Sequence, residues 1–272
     1  MMNQQDRPHF LTPKSVHPHS PLFVFLPGMD GTGELIHTQT ETLDQCFDIR
    51  ALSIPQDDFS DWEQLSEVVI DLVKREQAQK PEQTTYLCGE SFGGCLGLKV
   101  LEQAPELFDR AILVNPASSF RERPYLAWGA VGTGFMPEPI YRSSTVLILP
   151  FLAAMGRIAQ RDRRALLDAM KSVPPQTVRW RLSLLDNFSV DPQQLQAVSV
   201  PVLLLAAGSD RILPSMQEAE QLASYFPNSQ VVTLPDSGHT CLLETENRLC
   251  DILQEADFLE ATARQQLVSA TS

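Results

Sequence analysis

Apolar residues in this chain gather into short unbroken runs, separated by stretches with helical spacing. Leu22 to Leu26 (LFVFL) is one such run, ending at Pro27-Gly28, and its lack of alternation suits a strand buried on both faces. Residues 47–54, 84–88 and 111–114 read as further strands, closed by Pro55, by Gly89 and by Asn115-Pro116. Before the third strand, Leu65, Val68, Val69 and Leu72 recur at i, i+3, i+4 and i+7, which predicts a helix through Ala78. Asp61, with Gln64 three residues on, offers it a capping box. A second helix is expected from about residue 95 to 103.

The alternation then stops. Residues 120–196 are rich in helix formers, interrupted by Pro137, Pro139, Pro150 and Pro174-Pro175. It resumes with a strand at 200–206, a helix at 215–225, a strand at 230–234 and a final helix from about 242 to 263. Strands joined by crossover helices imply an α/β fold with a mostly parallel sheet and helices on both faces. The expected organisation is a tail (1–20), a core (21–119 and 197–272) and a helical lid inserted between its halves (120–196).

Composition narrows the partners. With 272 residues, 43% of them hydrophobic, the chain can bury a large core without staples. A formal net charge of −13 argues against nucleic acid, which wants a basic face. The first twenty residues hold Asp6, Arg7, His9, His17 and His19 and no apolar signal core, and the run 146–155 is broken by Pro150 at about half a membrane span. Cys46, Cys88, Cys95, Cys241 and Cys250 form no CxxC pair, so reduced thiols and a cytoplasmic setting are expected. No metal-ligand spacing is present, and nothing calls for a cofactor.

The chemistry centres on Gly89-Glu90-Ser91-Phe92-Gly93, a G-x-S-x-G motif between a strand and a helix. That setting puts a serine on a sharp turn clear of the sheet, with a helix N-terminus nearby to favour developing negative charge. A serine needs a base, and the base an orienting acid. His239 alone among the histidines follows a late strand, and Asp210 directly follows VPVLLLAA. Ser91, Asp210 and His239 thus form the candidate triad, with Asp186 or Asp191 next in line as the acid. The oxyanion hole needs two backbone N–H groups. Phe92 is one candidate; Met29 in Gly28-Met29-Asp30-Gly31-Thr32-Gly33 is the other, with Asp30 if the turn is shifted. That glycine loop lacks the Lys-Ser/Thr of a P-loop and the spacing of a dinucleotide fingerprint. Cys88 and Cys95 flank the serine with no base placed for either, and read as small packing residues.

These residues together resemble the α/β-hydrolase esterase, lipase and thioesterase group that includes the hydrolase portion of plant phytyl ester synthases. The resemblance rests on PLFVFLPGMDGTG (21–33), CGESFGGCLGLKV (88–100), ILVNPASSF (112–120), PVLLLAAGSDRILPS (201–215) and LPDSGHT (234–240). It implies an α/β-hydrolase fold and acyl chemistry on lipid-like substrates, such as esters of isoprenoid alcohols or of diacylglycerol. The expected function is hydrolysis of an ester or thioester through an acyl-enzyme on Ser91. Transfer of the acyl group to a long-chain alcohol by the same triad is the alternative, and a catalytically silent binding protein is a third. Between residues 120 and 181, ten basic residues stand against four acidic ones, and Trp128 and Trp180 lie in the same region. A basic, apolar lid could meet an anionic membrane surface or a phosphate-bearing acyl donor; a solvated helical face is the competing reading.

Overall fold

A computed structural model describes residues 7–122 and 149–270. Its strands are β1 (His9–Leu11), β2 (Leu22–Leu26), β3 (Asp48–Ser53), β4 (Thr85–Glu90), β5 (Arg110–Val114), β6 (Val202–Ala207) and β7 (Ser229–Leu234). They form one sheet in the order β1-β3-β2-β4-β5-β6-β7, parallel throughout except for β1 against β3. The apolar runs are explained by what covers them. Along β2, Leu22, Val24 and Leu26 join one core cluster while Phe23 and Phe25 join another on the opposite face. β6 does the same, with Val202, Leu204 and Ala206 on one face and Leu203, Leu205 and Ala207 on the other.

Helices α1 (His37–Leu43), α2 (Trp62–Gln79) and α3 (Phe92–Gln103) belong to the first half of the core. α4 (Gln160–Ser172), α5 (Pro175–Asp186) and α6 (Pro192–Gln196) lie in the segment expected as a lid, and α7 (Ser215–Tyr225), α8 (Leu249–Glu255) and α9 (Ala261–Ala270) complete the chain. α2, α3 and α7 cover the first face, and α1, α8 and α9 the second. The capping box of α2 is present, with Gln64 N–H donating to Asp61 at 2.9 Å and Asp61 N–H to Gln64 at 3.0 Å. Residues 123–148, including Arg123, Trp128, Pro137, Glu138, Pro139 and Arg142, lie outside the described part. Among the described residues no helix is long and apolar enough to cross a membrane.

Three elements differ from expectation. His9–Leu11, in the expected tail, pairs antiparallel with Ser53–Ala51 as an edge strand. Helix α1 was not predicted: its buried face is Gln39, Thr40 and Leu43, too polar to register as a stripe. It is held by tertiary bonds, Gln39 donating to Leu242 O and Asn247 O and accepting from Leu249 N–H. The single final helix is instead a 3-10 turn (Cys241–Leu243) followed by α8 and α9. α8 ends in a Schellman motif: Asp257 takes φ 56°, Asp257 N–H donates to Gln254 O and Phe258 N–H to Leu253 O. Buried Phe258 then locks the stop in place.

Candidate active site

Ser91 stands between β4 and α3 with φ 54° and ψ −114°, a conformation a non-glycine residue holds only under tertiary constraint. The constraint is visible. Ser91 N–H donates to Val114 O at 3.0 Å, while Ser91 O accepts from Gly94, Cys95 and Ala117 at 2.9, 3.2 and 3.2 Å. At Gly93 an added Cβ would lie 2.1 Å from Leu26 O, so the helix approaches β2 as only glycine permits. This is why α3 begins at Phe92, three residues before its expected start. Cys88 and Cys95 are fully buried, and burial raises both thiols well above their ordinary range.

The structure brings the three expected side chains together. His239 Nε2 lies 2.8 Å from Ser91 Oγ, and His239 Nδ1 lies 2.7 Å from Asp210 Oδ2. Asp210 also accepts from Ile212 N–H (2.8 Å), Leu213 N–H (3.1 Å) and Ser215 Oγ–H (2.5 Å). Burial raises the Asp210 carboxyl, but His239 and these donors outweigh it, and the net shift is downward. An ionised carboxylate only accepts, so Nδ1 carries the proton and Nε2 offers its lone pair to the Ser91 hydroxyl. Burial lowers the His239 pKa; the charge and hydrogen bond of Asp210, then Glu90 and Glu218, overcome it and leave it raised.

Gly28, Met29, Asp30, Glu90 and Ser91 are partly accessible at the carboxyl ends of β2 and β4, although the strands behind them are buried. A Cβ on Gly28 would lie 4.0 Å from Ser91 Cβ, which puts the glycine loop beside the serine. Its peptide orientations are set one by one. Gly28 O accepts from Gly31 N–H at 3.0 Å, turning the Met29 N–H of that same peptide the other way. The Asp30 carboxylate accepts from Thr32 N–H (2.9 Å) and Thr32 Oγ–H (2.5 Å). Met29 N–H is the loop's candidate donor, alongside Phe92 N–H in the first turn of α3. Met29 O accepts from Arg181 Nη1 at 2.7 Å, and Arg181 Nη2 reaches Pro55 O at 3.2 Å. Gly31 sits at φ +70°, and a Cβ there would lie 2.6 Å from that guanidinium. Arg181, one of the ten basic residues assigned to a charged lid, is 2% exposed and adds nothing to a charged surface. Arg157, another, pairs with Glu244 at 2.7 Å and Glu246 at 2.9 Å.

Sequence reasoning missed four residues that shape the site. Arg181 is the first. Asn115, at φ 41°, donates to His239 O at 2.7 Å and accepts from Ala207 N–H at 2.8 Å, tying the histidine loop to the end of β6. Glu218 of α7 accepts from the N–H and hydroxyl groups of both Ser118 and Ser119, pinning the loop after β5. Burial raises its carboxyl to about 6 against those donors. Glu90 is half-buried, its Oε1 is inaccessible and without a donor, and desolvation raises its carboxyl to about 7. Asn115 and Ser118-Ser119 lie in the NPASSF segment and Glu90 inside the serine motif, but no local pattern announces their partners. Asp186 and Asp191, the reserve acids, do not meet His239: Asp191 caps α6 through Gln193 N–H at 2.9 Å, and Asp186 ends α5.

A serine, a histidine and an aspartate in hydrogen-bonded sequence at the carboxyl ends of parallel strands define a class of α/β enzyme. Residues 21–245 match the alpha/beta hydrolase fold family, and the chain belongs to it. The chain is 33% identical to phytyl ester synthase 1 of Arabidopsis thaliana, over 92% of this chain and 39% of that protein. Identity to phytyl ester synthase 2 of the same plant is 28%, over 87% of this chain and 37% of that protein. The chain thus spans about two fifths of the length of these relatives. In structure it is similar to an esterase from Exiguobacterium antarcticum, with a TM-score of 0.74 at 15% identity, covering 87% of this chain and 91% of the other.

Proposed function

We propose that the chain is a serine hydrolase that cleaves ester or thioester bonds of lipid-like acyl substrates through an acyl-enzyme on Ser91. The observation that carries this reading is the unbroken relay from Ser91 Oγ to His239 Nε2, and from Nδ1 to Asp210, at 2.8 and 2.7 Å. In the first step Ser91 Oγ attacks the acyl carbon and its proton passes to Nε2, while Asp210 holds the imidazolium in place. Met29 and Phe92 N–H groups receive the oxyanion. Collapse breaks the bond to the alcohol or thiol, which leaves with the proton from Nε2. Water then repeats the sequence in reverse, giving free acid and restoring Ser91.

The likeness to two phytyl ester synthases favours a second reading, in which a long-chain alcohol in place of water collects the acyl group. Residues 120–196 would act as the cap that decides between them by excluding water. Trp62 and Trp180 support a close fit of this segment, donating across to Leu184 O and Ser60 O at 3.0 Å each. The test is covalent labelling with a fluorophosphonate, followed by product analysis with an acyl donor, with and without phytol. Labelling lost in Ser91→Ala supports the nucleophile; a folded wild type that does not label overturns it. Free acid as the sole product in the presence of phytol removes the transfer reading for that acceptor.

A further inference from the structure

Two glutamates lie near the triad, Glu218 buried and Glu90 half-buried, and their surroundings differ sharply. Glu218 is saturated with hydrogen-bond donors from Ser118 and Ser119, as a structural carboxylate should be. Glu90, next in sequence to Ser91 at the end of β4, has an inaccessible Oε1 with no hydrogen-bond partner. Its charge acts on His239 and Cys241 from the loop after β7, on Asp30 from the loop after β2, and on Cys88 from its own strand. Asp30, a like charge engaged by Thr32 and offset by Arg181, adds to the upward push on the Glu90 carboxyl. His239 in turn faces Asp210, Glu90 and Glu218. A carboxylate oxygen held without donors costs stability, and the charge of this group acts on the His239 ring, where positive charge appears during acylation.

We propose that Glu90 is a positioning residue acting through His239: its carboxylate, as a second negative charge beside Asp210, stabilises the imidazolium formed when Ser91 gives up its proton. Glu90 neither gives nor takes a proton in that step; the Ser91 proton still moves to Nε2. The proposal rests on the reading of Ser91 as nucleophile and His239 as base. With Glu90 charged, His239 is a stronger base and the transition state is better stabilised.

The sign of the stability effect follows from the same burial. An acid raised from 4.5 to about 7 on folding is protonated in the folded state while already charged in the unfolded one. Stability therefore falls as pH rises from about 4.5 to about 7 and is lowest above that window. Glu90→Gln removes the burden, so the variant is expected to be more stable than wild type at pH 8, with the gap closing near pH 4.5.

The experiment measures fluorophosphonate labelling rate and ester turnover from pH 5 to 9 in wild type, Glu90→Gln, Glu90→Asp and Ser91→Ala, with denaturant unfolding at pH 5 and 8. For Glu90→Gln the midpoint of the acid limb should fall by about one pH unit and the plateau by roughly tenfold, since one nearby charge shifts a pKa by about 1–3 units. NMR titration of the His239 ring should show the same downward shift without any substrate. Glu90→Asp keeps the charge and should hold the midpoint near the wild-type value. A lower plateau with an unmoved midpoint gives Glu90 a packing role and overturns the proposal, as does a more stable Glu90→Gln with an unchanged profile. Turnover surviving in Ser91→Ala would instead sink the nucleophile reading and the proposal with it.

Discussion

Replacing Arg181 by methionine tests whether α5 holds the oxyanion loop in its working shape. The side chain is 2% exposed and donates to Met29 O at 2.7 Å and Pro55 O at 3.2 Å. Methionine fills much of the volume but leaves both carbonyls without their donor, at about 1–3 kcal/mol for each buried group left unpaired. It also removes the positive charge opposing the half-buried Asp30 carboxyl. A stability loss of about 3–5 kcal/mol is expected, in the range for breaking a buried charged contact. The effect on rate has a ceiling, because deleting one oxyanion donor costs about 10²–10³-fold in kcat. The Gly28–Gly31 turn and the Thr32–Asp30 bonds remain, so part of the loop geometry survives. The expected fall in kcat is therefore smaller, roughly 10- to 50-fold, with KM little changed because the oxyanion exists only in the transition state. Arg181→Lys keeps a charge but not the planar fork that reaches two carbonyls, and should fall between. The assay is turnover of a p-nitrophenyl ester and the fluorophosphonate labelling rate, both at a temperature where circular dichroism shows the variant folded. A folded Arg181→Met with kcat and labelling within twofold of wild type would refute the reasoning: either the loop stands without Arg181 or Met29 N–H does not meet the oxyanion.

Ser91→Gly should abolish labelling yet raise stability by about 1 kcal/mol in urea unfolding, because glycine holds φ 54° without strain. Gly93→Ala should yield little folded protein by circular dichroism, since its Cβ would lie 2.1 Å from Leu26 O and 2.5 Å from Pro27 O, both backbone atoms. Asp210→Asn should keep the fold and lower kcat by about 10³–10⁴-fold, because an amide can donate to Nδ1 and favour the wrong tautomer. Turnover near wild type in that variant would move the acid elsewhere.

Much of this architecture was legible in local pattern. LFVFL and VLLLAA announce strands covered on both faces, because burial on both sides removes the alternation an exposed face imposes. Asp61 and Gln64 announced the start of α2 because a capping box is satisfied within four residues. The triad could be listed because each member sits just past a strand, where a parallel sheet collects its loops. The pieces that escaped lack such local signals. β1 is three residues long and borrows its hydrogen bonds from β3. α1 buries glutamine and threonine, and the partners of Gln39 lie more than two hundred residues away. The final helix has helical spacing, but extended backbone at Glu244 and Arg248 parts the 3-10 turn from α8, and the left-handed Asp257 with buried Phe258 parts α8 from α9.

By itself, then, the sequence determined a serine at a strand–helix turn, a histidine and an acid in hydrolase order, and a sheet buried on both faces. These follow from steric and burial rules that act between near neighbours. Tertiary structure decided which charges serve the site. It drew Arg181 out of an expected basic surface and onto the Met29 carbonyl, saturated Glu218 with serine donors, and left the Oε1 of Glu90 unpartnered beside His239. A charged group's role depends on which donors and acceptors surround it once water is excluded, and those groups come from segments that only the folded sheet brings together.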